Sequence, residues 1–275
     1  MSAELPLRIE GISFTNPSEK GLPILYKYRE GANQHHLRTI TEGELFLSSP
    51  AGFVDKLDCN IPTNVTLMSA EERFEFVSRT IFDRFPGLRA APPSVQRAHI
   101  LHWANEGPIS DPAHVQRVFE ASREDFNSRF GVLCLTANAA SGHMWREYSA
   151  NFSGFCIGFY PQLFDDYGCG PITYVPELPV FKGNEEAGAY LINQVFLKQE
   201  QYRPEEEFRV TRFWPTPPTL EERKIRASAQ QVAEIIIGHG APASLIGLAR
   251  QHLPGVTIRL ARPGSDDKVV LERLI

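Results

Sequence analysis

Nothing in this chain is long, apolar and uninterrupted. No run approaches the ~18 consecutive apolar residues that a membrane-spanning helix needs, so no membrane partner is expected. Cysteine is scarce: Cys59, Cys134, Cys156 and Cys169 are the four present. They form no C-x-x-C pair, and no Cys/His cluster has zinc-finger spacing, which removes the main zinc readings. Cys134 and Cys156 sit inside the apolar runs GVLCLT and GFCIGF, where a thiol behaves as a small hydrophobe. A reduced, cytoplasmic setting fits that usage. There is no G-x-G-x-x-G and no P-loop, so Rossmann and NTPase readings lose their main support. Internal repeats and low-complexity segments are missing as well. The opening MSAELPLRIE has neither a basic n-region nor an apolar h-region, so no signal peptide is expected. A large charge of one sign is also lacking. The formal net charge is -5 and the pI about 5.9, which argues against a broad basic face for nucleic acid while leaving room for a local basic groove.

What is present is an ordinary globular balance. The 275 residues are 42% hydrophobic and 22% charged. That suits one large domain, 1–275, because single cores stop growing near ~250–300 residues. ILYKY (24–28) reads as a strand with Arg29 at its exit. Asn33 is placed to cap a short helix that Gly43 ends. ELFLSSP (44–50) reads as a second strand, stopped by Pro50. Ser69 with Glu72 is a capping box, and Phe74, Val77, Ile81, Phe82 and Phe85 follow at helical spacing. After the break PGLRAAPPS, Asp111-Pro112 marks another helix start. Residues 66–130 therefore read as a helical lobe inserted between two β-rich parts. Strands return at GVLCLT, GFCIGFY and PITYV, with a short helix carrying Met144, Trp145 and Tyr148. A helix near 185–200, the strand AEIIIG, a helix bearing Leu245, Leu248, Ala249 and Leu253, and strands TIRLAR and VVLERL close the chain. Many short strands with unequal connections predict an α+β fold with a mixed or antiparallel β core.

The stretch PEEEFRV (204–210) stacks three carboxylates in front of a strand. The motifs LYKYRE, GELFLSSPAGFVDKLDC, LCLTANAASGHMWREYSANFSGFCIGF, EEEFRV and AEIIIG, taken in order, resemble a bacterial family known only as "domain of unknown function 2971". The resemblance spans nearly the whole chain. One departure stands out: the family's Asn-Asp-Pro turn is Val54-Asp55-Lys56 here, so an amide and a rigid proline are gone. The order of parts is also similar, through shorter motifs, to the ADP-ribosyltransferase fold, in which a first strand carries His or Arg, a second Ser or Tyr, and a late strand begins with E-x-E. On that resemblance Arg29 or Tyr28 is the first element, Ser48 and Ser49 the second, and Glu205 and Glu207 the third.

The resemblance implies NAD as substrate and transfer of ADP-ribose to an unknown acceptor (a protein, a nucleic acid or a small molecule) in a toxin or phage-defence setting. Glu207 would stabilise the positive charge that develops on the ribose. Glu205 would orient or deprotonate the acceptor, lying on the same side of the chain if the backbone is extended. Arg29 would hold the pyrophosphate and Ser48 would support Glu207 or the ribose. Tyr28, Trp145 or Tyr148 would stack on the nicotinamide.

Plainer alternatives stand beside each role. The three glutamates are equally a solvated turn, with Glu207 paired to Arg209 or Lys198. Arg29 has Glu30 and Glu42 nearby in sequence, and the two serines are also a strand end. Trp145 and Tyr148 lie one helical turn apart, which usually means core. His35 and His36, where a helix should begin, read as an ordinary surface pair, His143 as a helix-start residue or an acid/base, and Asp55 and Asp58 as a turn or a second carboxylate cluster. Two other functions remain open. A magnesium-dependent nuclease or phosphoesterase would use Asp55, Asp58, Glu205 and Glu207 as ligands, with Arg209 meeting phosphate. A binding or regulatory module would use the motifs only to maintain the fold.

Overall fold

The computed structural model describes residues 17–19, 21–185, 187–265 and 267–274; the MSAELPLRIE reading lies outside them. Strand β1 (Leu25–Arg29) leads to helix α1 (Gln34–Thr41), whose N-cap is Asn33: its side chain accepts from the His35 amide. Gly43 ends the turn with φ +63, and a Cβ there would meet the Ala227 carbonyl at 1.9 Å. Only glycine fits both demands. Strand β2 (Glu44–Phe46) is shorter than ELFLSSP suggested, although Ser48 continues as an isolated bridge to Val132. Ser49 then caps a 3₁₀ turn at Pro50–Gly52.

Helices α2 (Ala70–Arg84), α3 (Pro93–Asn105) and α4 (Pro112–Arg129) follow. The Ser69/Glu72 capping box closes both ways at the start of α2. Asp111 Oδ1 accepts from the Ala113 amide ahead of α4. Next come β3 (Phe130–Thr136), α5 (Gly142–Tyr148), β4 (Phe155–Phe159), β5 (Gly168–Pro171) and β6 (Thr173–Val175). Helix α6 (Ala187–Phe196) stops short of the expected 200, and β7 (Leu197–Gln199) takes over. The chain ends through β8 (Glu207–Phe213), β9 (Lys224–Arg226), β10 (Val232–Gly238), α7 (Ala243–His252), β11 (Thr257–Pro263) and β12 (Val269–Arg273).

The architecture is a mixed α/β arrangement around one large, mostly antiparallel sheet. Its order is β12-β11-β10-β4-β1-β3-β8-β5, with β10 and β11 parallel and the other neighbours antiparallel. β2 pairs with β9 and β6 with β7 in two small ribbons. Alternation sends Leu25, Leu133, Leu135, Ile157, Val210, Ile235 and Ile237 into one core, with Ile40 and Leu245 from the covering helices. Tyr26, Tyr28, Cys156 and Ile236 face the other side, packed with Trp145 and Phe152.

The chain divides into two compact units. One holds Asp55–Asn127 and Leu178–Val195, with α2 and α3 packed about Val77, Ile81, Ile100 and Ala104. The other contains the large sheet. Among the described residues no helix is long and apolar enough to cross a membrane.

Candidate functional site

The glutamates of PEEEFRV do not form a solvated turn. Glu205 and Glu207 are each only 4% exposed, and Arg209 is wholly buried. The backbone between them is not extended. Glu205 ends a 3₁₀ helix (Glu200–Glu205), Glu206 adopts the left-handed region at φ 44, and β8 begins at Glu207. The kink still brings both side chains to one cation. Lys198 Nζ lies 2.5 Å from Glu205 Oε2 and 2.9 Å from Glu207 Oε2. Arg209 Nε donates to Glu207 Oε1 at 2.7 Å. Lys198 reaches them because β7 carries it there, with Leu197–Gln199 pairing against β6.

Tyrosines surround the pair. Tyr148 OH donates to Glu205 Oε1 at 2.7 Å, and the Glu207 amide donates to Tyr174 OH at 2.8 Å. Lys198 Nζ also sits 4.6 Å from the centre of the Tyr202 ring. Burial alone would raise the Glu207 carboxyl, but Arg209 and Lys198 outweigh it and bring the pKa down to about 2. The Cys134 thiol hydrogen-bonds this carboxylate, and burial together with Glu207 keeps the thiol protonated.

Register explains the meeting. Cys134 pairs with Arg209 and Thr136 with Glu207 across β3 and β8, and directly opposed residues share a face. Ser48 is opposite Val132 on the other flank of β3, each donating its amide to the other's carbonyl at 2.9 Å. β1 pairs with β3 at Tyr26 and Thr136. Beyond that point Lys27 Nζ donates to the Cys134 carbonyl at 2.7 Å. Among the described residues neither Lys27 nor Arg29 has a carboxylate within ion-pair distance, and Arg29 Nε is buried without a hydrogen-bond partner. Glu42, its candidate partner, is taken by Arg38 and Arg226 at 2.9 and 3.0 Å. Burial, then Arg29, lowers Lys27 to about 8; burial lowers Arg29 to about 10. Two buried cations, Lys198 and Arg209, thus pair with two buried carboxylates, while the half-buried Lys27 and Arg29 alternate with Tyr26 and Tyr28 and leave the face of β1 that carries Leu25.

Other candidate residues have different duties. Tyr28 is 4% exposed, donates to the Asn138 carbonyl at 2.9 Å and meets Trp145 edge-on at 5.2 Å. Trp145 is fully buried, stacks on Phe152 at 5.3 Å and donates Nε1–H to the Ala139 carbonyl. Both rings are core and present no free face to a nicotinamide. Tyr148, three residues on, is exposed and belongs to the carboxylate cluster. Ser49 accepts from the Ala51 amide. His36 Nδ1 accepts from the Glu30 amide, and burial with Arg29 lowers its pKa. Asp55 Oδ1 accepts from the Leu57 amide, a local turn, and among the described residues no group of three His, Cys, Asp or Glu side chains is placed to hold a metal.

Lys27, Cys134 and Tyr174 are members that motif reading missed, whereas Lys198 and Arg209 are the partners of Glu207 that the sequence had offered. Lys27 had a signal: a lysine in the middle of the strand YKYR, flanked by two tyrosines that alternation buries. No protein-family model, curated protein or solved structure matches the chain.

Proposed function

We propose that the chain is an NAD-using transferase of the ADP-ribosyltransferase type, within the bacterial family its motif order resembles, acting in a toxin or phage-defence setting. The observation that supports this reading is that Glu207 stands buried and ionised on β8, one flank of β3, while Ser48 bridges Val132 on the other flank and the Arg29 Nε on β1 is buried without a partner.

The buried cations supply the substrate argument. Leaving an ion unpaired away from water costs several kcal/mol, so Lys27 and Arg29 call for an anion carrying about two charges. The pyrophosphate of NAD meets that need, and Arg29 brings a guanidinium fork suited to it. In the reaction the bond from ribose C1′ to the nicotinamide nitrogen breaks, and its electron pair leaves with nicotinamide. Glu207, held ionised by Arg209 and Lys198, stabilises the positive sugar. An acceptor lone pair forms the new bond at C1′, and its proton passes to Glu205. Ser48 supports the ribose from the neighbouring segment.

One observation favours a second reading, an anion-binding module without turnover. Both Glu207 oxygens already have cationic partners, and the residue is 4% exposed.

Nicotinamide release from NAD by the purified full chain separates the two. The transferase reading expects release, falling about a hundredfold or more in Arg29→Ala and in Glu207→Gln, with circular dichroism reporting that each variant is folded. Calorimetric binding of NAD or pyrophosphate without release supports the binding module. Neither binding nor release removes both.

A further inference from the structure

The helical unit contains a feature that the transferase reading does not use. A pocket of about 610 Å³ lies among its helices. Native interiors hold few voids larger than a water molecule, whereas small-molecule sites run from about 300 to 1,000 Å³. Phe76, Val77, Thr80, Ile81 and Arg84 of α2 line it. That is the spacing i, i+1, i+4, i+5, i+8, one face of a helix with its cation at the C-terminal end. Trp103 of α3 and Val115, Val118 and Phe119 of α4 complete the apolar wall. Helix α4 buries only Val115 of its 18 residues, and Val118 is 49% exposed. Its inward apolar face is therefore still open to a ligand.

The few polar groups on the wall set the ligand's charge. Asp83 is taken by Arg89 at 3.1 Å. Arg84 has no carboxylate partner among the described residues, and its guanidinium lies 5.3 Å from the centre of the Trp103 ring. His114 and Thr80 add hydrogen-bonding groups. The uncompensated charge of the pocket is thus positive and belongs to Arg84.

We propose that this pocket binds a small amphipathic acid. Its hydrocarbon body packs against Phe76, Val77, Ile81, Val118 and Phe119, and its carboxylate is held by Arg84. The site is independent of NAD chemistry and stands or falls without it.

Titration calorimetry of the full chain with decanoate, below its micelle-forming concentration, and with 1-decanol tests the proposal. Decanoate is expected to bind at one site per chain, about tenfold more tightly than the alcohol, because only the acid makes the charge-assisted bond. Arg84→Gln should weaken decanoate about tenfold, to the level of the alcohol, and leave the alcohol unchanged. Val118→Trp fills the cavity and should weaken both at least tenfold with the circular dichroism spectrum retained. Thr80→Trp, at another exposed position of the wall, serves if Val118→Trp does not fold. Absence of saturable decanoate binding overturns the proposal. So does wild-type affinity in a folded filled variant, or an acid preference that survives Arg84→Gln.

Discussion

One face of the large sheet is built in two ways. On β4, β1 and β10 it carries Tyr26, Tyr28, Cys156 and Ile236, sealed by Trp145 and Phe152. Across β3 and β8 the same face carries Cys134, Glu207 and Arg209, with Lys198 and Glu205 laid against them. The halves meet at the pairing of Tyr26 with Thr136. The first half is held by contact, where each side chain contributes roughly in proportion to the area it buries. The second is held by partnership, where losing one member strands another away from water. Contact tolerates local change; a buried ion network does not.

The largest expected effect comes from removing one partner on the charged side. Arg209→Ala leaves the Glu207 carboxylate buried with half its cationic support, and should cost about 3–5 kcal/mol in urea unfolding. Tyr28→Phe on the apolar side loses one hydrogen bond, to the Asn138 carbonyl, and should cost about 1 kcal/mol. Equal costs for the two would mean that water reaches the charged half and that the contrast is one of composition only.

Much of the apolar half was legible beforehand. Alternation located β3, β4 and β10, and the Asn33 cap and the Ser69/Glu72 box were visible as local chemistry. The charged half was legible only in its residues. The spacing of Glu205 and Glu207 implied an extended strand, yet they converge through a left-handed Glu206, a conformation that no composition signal marks. Lys198 fell in a stretch read as helix, because the strand it occupies has three residues and exists through its pairing with β6. Gly168–Pro171 and Lys224–Arg226 are strands for the same reason: distant partners, β8 and β2, define them. Trp145 and Tyr148 looked alike, but Trp145 is core while Tyr148, the last residue of its helix, is half-exposed and reaches Glu205.

Titration sharpens the comparison at an intermediate magnitude. Glu207 is held at about 2 against an ordinary 4.5, so its contribution is fully present above pH ~4.5. It is lost as pH falls toward 2, by about 3 kcal/mol. Lys27 has the opposite sense. Its folded pKa is about 8 against an ordinary 10.5. The unfolded chain therefore binds more protons above pH 8, and stability should rise from pH 8 to 9. Above that, other buried groups work against it. Burial raises the Cys134 and Cys156 thiols, whose contribution is lost as pH passes the ordinary thiol value near 9, and the Tyr26 and Tyr28 phenols follow as pH passes about 10. Urea midpoints should therefore increase from pH 8 to pH 9, and Lys27→Met should flatten the rise. A wild-type profile that is flat or falling over this range would show that Lys27 is solvated.

The smallest effect is expected at the edge of the network. Tyr148 is 44% exposed, and its hydroxyl donates to Glu205 Oε1 while Lys198 holds Oε2. Tyr148→Phe removes a bond to a charged acceptor, worth about 1.5–3 kcal/mol when sealed from water. Here solvent reaches the tyrosine and replaces part of it, and the ion pair with Lys198 is untouched, so the loss should be about 1 kcal/mol or less. The comparison with Lys198→Met decides where the seal lies. That substitution leaves Glu205 without its cation and Glu207 with Arg209 alone, and should cost several times more. If Tyr148→Phe instead approaches it, the charged half closes at the tyrosine rather than at the lysine.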